Sequence, residues 1–445
     1  MSEFSGQRVA VIGLAATGVA VAGALARRGA LVTVLDARPL DRLFEKGIEA
    51  LETLGVAIHA GNDALPREAG LVVPSPGVPR TAPPLAEALA RGLPIWSEIE
   101  VGYRIARAPI LAITGTNGKT TTTAMLGAIC QEAGLETFVC GNIAEDNGVR
   151  TPLVAAAEQA GADAVLVAEI SSFQLEWVQT FRPRVAAWLN LTVDHQDRYA
   201  GLGEYAADKA KILNAQTPAE FAVLNADDSW VVKSSEGVGA GRREWFSGAN
   251  PPARSLKVPG KHNRANAEAA ARMARAFGVP EEAIERALGE FPGVAHRMEL
   301  VRELGGVRWI NNSMCTNPAA VRASLEAARE AGGRLFVIVG GRHKGGDLAE
   351  MALALQSLAT RTLVIGEAAP LLAETLGDDV DIAGTLDRAV QMASESARPG
   401  DTVILAPGCA SFDQFASFEA RGQAFRSAVF SLGSTKKISG QEPHG

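Results

Sequence analysis

The run Ile110 to Thr122, ILAITGTNGKTTT, constrains this chain more than any other. An apolar strand delivers the backbone to Gly115-Thr116-Asn117-Gly118-Lys119-Thr120-Thr121, where a helix is predicted to begin. Glycines let such a turn fold tightly and aim its N–H groups at phosphate oxygens. Lys119 supplies a point charge and Thr120 a hydroxyl suited to Mg²⁺. The loop is shorter than the common Gly-x-x-x-x-Gly-Lys form, since only Thr116 and Asn117 separate its glycines. It reads as an ATP-phosphate site built on a strand–loop–helix unit.

That unit recurs in outline. Short apolar β-rich runs alternate with helical stretches, which predicts an α/β fold with parallel sheets and crossover helices. At 445 residues the chain exceeds one ordinary hydrophobic core. Three blocks are expected, over 1–98, 99–293 and 294–445. The first holds RVAVIG, LVTVLDAR, LVVPSPGVP and the strand-like LPIWSEIE. The second holds the phosphate loop, AVLVAEISS, VAAWLNLTVDH and FAVLNADD, with its last helices around Ala265 to Leu288. A hinge is expected at FPGVAHR, before a third block built on RLFVIVGG, TLVIG and DTVILAPG. The tail after Ser431 is polar and expected to fray.

Net charge is −7, which argues against nucleic acid as the main partner, because such affinity comes largely from basic residues facing phosphates. Cys130, Cys140, Cys315 and Cys409 are too scattered for a disulfide framework or a zinc site, and fit a reducing cytoplasm. The apolar stretch Val9 to Ala26 is long enough to suggest a membrane span. Gly13, Gly18 and Gly23 interrupt it, so a buried strand, tight turn and packed helix suit it better.

Further polar residues fall at predicted strand ends, where parallel sheets open onto ligands. Glu169 follows the run AVLVA, and Asp194 and His195 follow VAAWLNLTV. A carboxylate and an imidazole beside bound phosphates can hold divalent cations, although a helix cap and a turn histidine explain each residue singly. The turn GLAATG resembles the dinucleotide fingerprint Gly-x-Gly-x-x-Gly with Ala15 at the middle glycine, and Asp36 follows at the expected distance. Read alone, it admits a nicotinamide cofactor, another nucleotide or only a tight turn. Lys209 and Lys211, in the predicted helix EYAADKAKIL, read as a solvated face.

In order, GTNGKTTT, Gly141-Asn142, EISSFQLE, NLTVDHQDRY, a downstream lysine, PGKHNRAN and HRME resemble the Mur ligases across essentially the whole chain. EISSFQLE, NLTVDHQDRY and APGCASFDQFASFEARG look like the glutamate-adding members of that family. The resemblance implies a monomeric cytoplasmic enzyme with a Rossmann-like N-terminal domain, a central ATPase domain and a Rossmann-like C-terminal domain. The substrates implied are ATP, UDP-N-acetylmuramoyl-L-alanine and D-glutamate, joined through an acyl phosphate with the help of two Mg²⁺ ions. Leu14, Ala15, Ala16, Thr17, Asp36, Arg38, Ser75, Gly77, Asn142 and His195 would hold the UDP substrate. Gly115 to Thr121, with Asn266, Arg297 and Asn312, would hold ATP. Lys119, Glu169, His195 and Lys209 would be catalytic; Thr120, Glu169, His195 and a carbamylated Lys209 would hold metal. Thr316, Lys344, Ser411 and Phe418 would hold glutamate.

One stretch departs from the family pattern. Where Mur ligases of this kind read D-S-K-A-T-N, this chain reads Asn312-Ser313-Met314-Cys315-Thr316-Asn317. A carboxylate and a lysine expected beside ATP and glutamate are thereby lost. Arg342, His343 or Lys344 could replace the cation. Three readings follow: a rebuilt D-glutamate site, another amino acid such as L-glutamate, or a non-catalytic nucleotide-binding paralogue.

Overall fold

The computed structural model describes residues 3–40, 45–61, 64–143, 150–195, 198–249, 256, 258, 260–343, 348–377 and 380–432. The expected frayed tail and Lys344 lie outside these residues, apart from Leu432 at the start of the tail. The chain is α/β throughout, with three sheets that fall into two compact units. The first two sheets and the helices up to Glu290 form one unit, and the residues from Phe291 form the body of the other.

The first sheet contains β1 (Arg8–Ile12), β2 (Leu31–Asp36), β3 (Ala57–Ala60) and β4 (Leu71–Pro74), all parallel in the order β3-β2-β1-β4. Alternation along β1 sends Val9 and Val11 to one core, with Val21 and Leu25 of the helix Ala16–Arg27. Ala10 and Ile12 face the other way, onto Leu85 and Ala88. The Val9–Ala26 stretch is therefore a strand, a turn and a helix. No helix among the described residues is long and apolar enough to cross a membrane.

The second sheet contains β5 (Ile110–Thr114), β6 (Thr137–Gly141), β7 (Val165–Glu169), β8 (Val185–Trp188), β9 (Phe221–Asn225) and β10 (Arg242–Phe246). Its order is β10-β9-β8-β5-β7-β6, with every pairing parallel. The phosphate loop leaves β5 in the middle of the sheet, between β7 and β8. This is the kind of carboxyl-end crevice where open α/β sheets bind ligands.

The third sheet contains β11 (Glu299–Leu304), β12 (Val307–Asn311), β13 (Leu335–Gly340), β14 (Arg361–Ile365), β15 (Val380–Gly384) and β16 (Thr402–Gly408), in the order β11-β12-β16-β13-β14-β15. Only the β11–β12 hairpin is antiparallel. Its turn, Gly305-Gly306, has φ of 60° and 75°, which a two-residue hairpin loop requires and glycine adopts without strain.

One expected strand is absent. In LPIWSEIE only Ile95 bridges to Val72, and the chain then enters the helix Glu98–Ile105. Ser97 caps that helix by accepting the Glu100 N–H, and Glu98 and Glu100 suit the positive end of its dipole. These capping signals outweigh four apolar residues. Both acids are buried and fix segments from elsewhere in the unit. Glu100 accepts from the backbone N–H groups of Gln179, Thr180 and Phe181 at 2.9–3.0 Å. Glu98 accepts from Val154 N at 2.7 Å, and burial raises its carboxyl to about 7.

The folded protein therefore binds the Glu98 proton more tightly than the unfolded chain does. Stability from this group is present at low pH and is lost as pH rises from about 4.5 to about 7. Glu98→Gln removes that titration. Urea denaturation at about pH 5 and about pH 8 should show the variant gaining on the parent protein at the higher pH. Parallel changes in both proteins would show that Glu98 does not titrate in this range.

Candidate active site

The turn between β5 and the helix Lys119–Glu132 is clamped from the segment after β8. Asn190 Oδ1 accepts the Asn117 N–H at 2.8 Å and Asn190 Nδ2 donates to Asn117 O at 3.0 Å. The Thr116 hydroxyl accepts the Thr192 N–H at 3.0 Å. Gly118 has φ 84°, and a Cβ there would lie 2.3 Å from Asn266 Oδ1, so any other residue would be strained and would displace Asn266. Asn266, on the helix Lys261–Phe277, is thus brought against the loop. Thr120 and Thr121 lie buried in the first turn of the loop's helix.

Two lysines converge on one oxygen. Lys119 Nζ donates to Gly115 O at 2.9 Å and to Thr116 O at 2.9 Å. Lys209 Nζ donates to the same Gly115 O at 2.8 Å. Lys209 is 1% exposed and lies over the Tyr205 ring, with its nitrogen 4.6 Å from the centroid. Burial first, and then the Lys119 charge, push its ammonium well below the usual lysine range; Asp194, Glu169 and Asp208 act in the opposite direction. The solvated-face reading of the helix Leu202–Ala210 and Lys211 is therefore overturned. Lys211 is engaged as well, donating to Glu176 O at 2.7 Å and pairing with Asp208 at 2.7 Å. Aromatic packing from Tyr199 and Tyr205 turns this face inward.

Glu169 ends β7 and is 3% exposed. Its Oε1 accepts from Asn142 Nδ2 at 3.0 Å, while Oε2 is buried with no hydrogen-bond partner among the described residues. Such an orphaned carboxylate oxygen calls for a ligand. His195 has φ 54°, a conformation rare outside glycine, and packs on Phe173 with ring centroids 4.7 Å apart. Its Nε2 lies 3.8 Å from Asp194 Oδ2. Among the described residues no group of three or more His, Cys, Asp or Glu forms a protein-only metal cage.

A cavity of about 970 Å³ opens at the carboxyl ends of the first sheet and is lined by Ala15, Ala16, Thr17, Asp36, Arg38, Ser75, Gly77 and Asn142. Eight of the ten expected UDP-substrate residues thus share one wall. Leu14 lies behind it with a buried side chain, and His195 is not on it. Asp36 braces the turn by accepting the Leu14 N–H at 2.7 Å and the Arg38 guanidinium at 2.7 and 2.9 Å. The Arg38 hydrogen bonds hold the Asp36 carboxyl down at about 2, against burial. Gly18 packs its helix on the turn, since a Cβ there would lie 1.8 Å from Gly13 O. Ala15 caps that helix without a side-chain hydrogen bond, which leaves backbone N–H groups to meet an anion. Sequence reasoning missed Arg150, Pro152 and Gln174, which also line the cavity but come from the second sheet's loops and helices.

In the second unit, Asn312 is engaged at both ends of its amide. Oδ1 accepts the Met298 N–H at 3.1 Å, and Nδ2 donates to Ser324 Oγ at 2.8 Å. Arg297 is flanked by His296 and Met298, with φ of 61° and 49°, and its Nη1 lies 3.7 Å from Met314 Sδ. Arg297 thus occupies the space beside Met314. Arg342 forms an exposed ion pair with Glu367 at 2.8 Å. Thr316 precedes the N-cap of the helix Pro318–Arg329, Ser411 is buried just after β16, and Phe418 opens the helix Phe418–Ser431. Sequence reasoning missed Arg421, which is buried beneath these segments.

Three family profiles match the chain: the Mur ligase MurD-like N-terminal domain over 7–97, the Mur ligase middle domain over 113–243, and the Mur ligase glutamate ligase domain over 296–409. A UDP-N-acetylmuramoylalanine–D-glutamate ligase of Pelotomaculum thermopropionicum is 41% identical, with 97% of this chain and 99% of that protein aligned. Its counterpart in Myxococcus xanthus is 39% identical, over 96% and 99% respectively. Among solved structures, the UDP-N-acetylmuramate–alanine ligase of Thermotoga maritima superposes with a TM-score of 0.60 at 20% identity, covering 95% of this chain and 99% of its own. MurF of Acinetobacter baumannii gives 0.59 at 19% identity, covering 94% and 93%.

The Gly118–Asn266 contact makes a prediction of its own. Gly118→Ala should lower stability to urea by about 1 kcal/mol or more, since it adds both a clash and a strained φ. Asn266→Ala in the same chain should return part of that loss. An unchanged midpoint in the single variant would mean that Asn266 does not pack on the loop.

Proposed function

Because the chain belongs to the Mur ligase family, we propose that it adds D-glutamate to UDP-N-acetylmuramoyl-L-alanine at the expense of ATP. The convergence of Lys119 and Lys209 on Gly115 O, beside the orphaned Glu169 oxygen, carries this reading. The cavity lined by Ala15, Asp36, Arg38 and Ser75 has the size and the anion-binding helix terminus that a uridine diphosphate requires.

The phosphate loop and Lys119 hold the ATP phosphates, so that the carboxylate of the muramoyl-alanine attacks the γ-phosphorus and ADP leaves. The amine of glutamate then attacks the resulting acyl phosphate, and phosphate departs from a tetrahedral intermediate. Both steps gather negative charge, which Lys119 and the N-terminus of its helix offset without reorganisation. Asn266 and Arg297 contact the nucleotide. Asn312, fixed by Met298 and Ser324, takes the place of the carboxylate usual at that position. Thr316, Lys344, Ser411 and Phe418 receive glutamate.

Thr120, Glu169, His195 and Lys209 as its carbamate are suited to two Mg²⁺ ions. Mg²⁺ takes few protein ligands and completes its shell with phosphate oxygens and water, which agrees with a single orphaned carboxylate rather than a cage. Bound there, the ion supplies Lewis-acid stabilisation of the transferring phosphoryl group. Lys209 can take up carbon dioxide only as the neutral amine, the form that its burial favours.

Phosphate release from ATP with Mg²⁺ and UDP-N-acetylmuramoyl-L-alanine tests this reading, with D-glutamate compared against L-glutamate. Release dependent on D-glutamate is expected. Release with L-glutamate alone would keep the mechanism and change the substrate, and silence with both would overturn the reading.

A further inference from the structure

Three carboxylates, Glu176, Glu204 and Asp208, meet Arg80, Arg198 and Lys211 where segments of the first two sheets come together. The reaction described above uses none of them. Arg80 stands between Pro79 and Thr81, which line the large cavity, but its side chain reaches past that wall to the helix Leu202–Ala210. Nη1 donates to Glu204 Oε1 at 3.1 Å and Nη2 donates to Asp208 Oδ2. Nε lies 3.0 Å from Glu176 Oε1, as an ion pair rather than an aligned hydrogen bond. Glu176, its side chain 1% exposed, also accepts from Arg198 Nε at 2.9 Å and Nη2 at 2.6 Å. Arg198 donates in turn to Pro76 O at 3.3 Å and Val78 O at 3.1 Å, two more residues of the cavity wall. Its guanidinium lies 4.3 Å from the centroid of Phe173, the ring on which His195 packs.

Burying a carboxylate is unfavourable unless it is paired, and an apolar contact of similar volume is often as stable. What such pairs add is register, because a guanidinium fork meets a carboxylate in few orientations. The register here joins the cavity wall to the segments that carry Glu169, His195 and Lys209. One short helix separates Glu176 from β7, which ends at Glu169. Arg198 comes three residues after His195, and Asp208 immediately precedes Lys209.

We propose that Arg80 is a positioning residue that holds the wall of the cavity in register with the helix Leu202–Ala210, so that a nucleoside diphosphate bound in the cavity orders the helix carrying Lys209. Without Arg80 the cavity keeps Asp36, Ser75 and its helix terminus and still binds its ligand, but the bound substrate loses its alignment with Lys209. The catalytic consequence rests on the ligase reading above, whereas the ordering of the helix requires only that the cavity take UDP.

Hydrogen exchange of the full chain with and without UDP, in the parent protein, Arg80→Met and Arg80→Lys, tests this together with steady-state kinetics. UDP should slow amide exchange in the helix Leu202–Ala210 of the parent about threefold or more, and should not slow it in Arg80→Met. The calorimetric Kd of Arg80→Met for UDP should stay within about threefold of the parent's, while kcat for D-glutamate-dependent phosphate release falls about tenfold or more. Arg80→Lys, which keeps the charge, should recover part of both effects. A parent without D-glutamate-dependent release would reject the ligase reading, and the exchange measurement then decides the proposal alone. UDP protection of the helix that is equal in the parent and Arg80→Met, or absent from the parent, would overturn it. Loss of UDP binding in Arg80→Met would place Arg80 in the binding wall itself and likewise overturn it, as would a lower melting temperature with kcat and UDP protection unchanged. If Arg80→Met does not fold, Arg80→Lys decides: weakened UDP protection of the helix upholds the proposal, and full protection overturns it.

Discussion

The carbonyl of Gly115 accepts hydrogen bonds from two lysine ammonium groups, and much of the first unit is arranged around that fact. Two cations on one oxygen repel each other, and here one of them is also cut off from water. Lys209 gives way, because it is the more deeply buried, and its proton becomes easy to lose. The arrangement requires β5 at the centre of its sheet, a glycine-rich turn that exposes its carbonyl, and a helix packed so that Lys209 reaches inward over Tyr205. Loosening any of these would return Lys209 to solvent and to its ordinary charge.

The first sheet carries a turn braced from within the chain, beside the cavity at its carboxyl ends. Asp36 spends its hydrogen-bonding capacity on the chain itself, on Leu14 N–H and on Arg38, rather than on the cavity. That bracing sets the turn before the helix Ala16–Arg27, whose first N–H groups have no side-chain cap. Ser75 reinforces the same turn by donating to Gly13 O at 3.2 Å. The turn is thus held in place with Ala15 where the fingerprint has its middle glycine.

Local chemistry decided what was legible in the sequence. The phosphate loop was readable because glycine, lysine and threonine in that order have few other uses after an apolar strand. Glu169 could be placed at a strand end, and Asn142 entered only through the family resemblance; the hydrogen bond that joins them links residues far apart in the chain. Lys209 looked exposed because its neighbours Asp208 and Lys211 are charged; its burial comes from Gly115 and Tyr205, which periodicity does not reveal. LPIWSEIE misled because four apolar residues imitate a strand, whereas Ser97 was already a helix cap. The β11–β12 hairpin was overlooked, although Gly305-Gly306 between alternating runs carried its signature. Arg421 gave no signal, because an arginine in a helix is ordinarily at the surface.

The most direct measurement is ¹³C NMR of the protein equilibrated with ¹³C-bicarbonate, with Lys209→Met and Lys211→Met alongside. A neutral, buried Lys209 should give a carbamate resonance in the parent protein and in Lys211→Met that disappears in Lys209→Met. The same resonance in all three proteins, or in none, would contradict the account of how Gly115 sets the charge of Lys209.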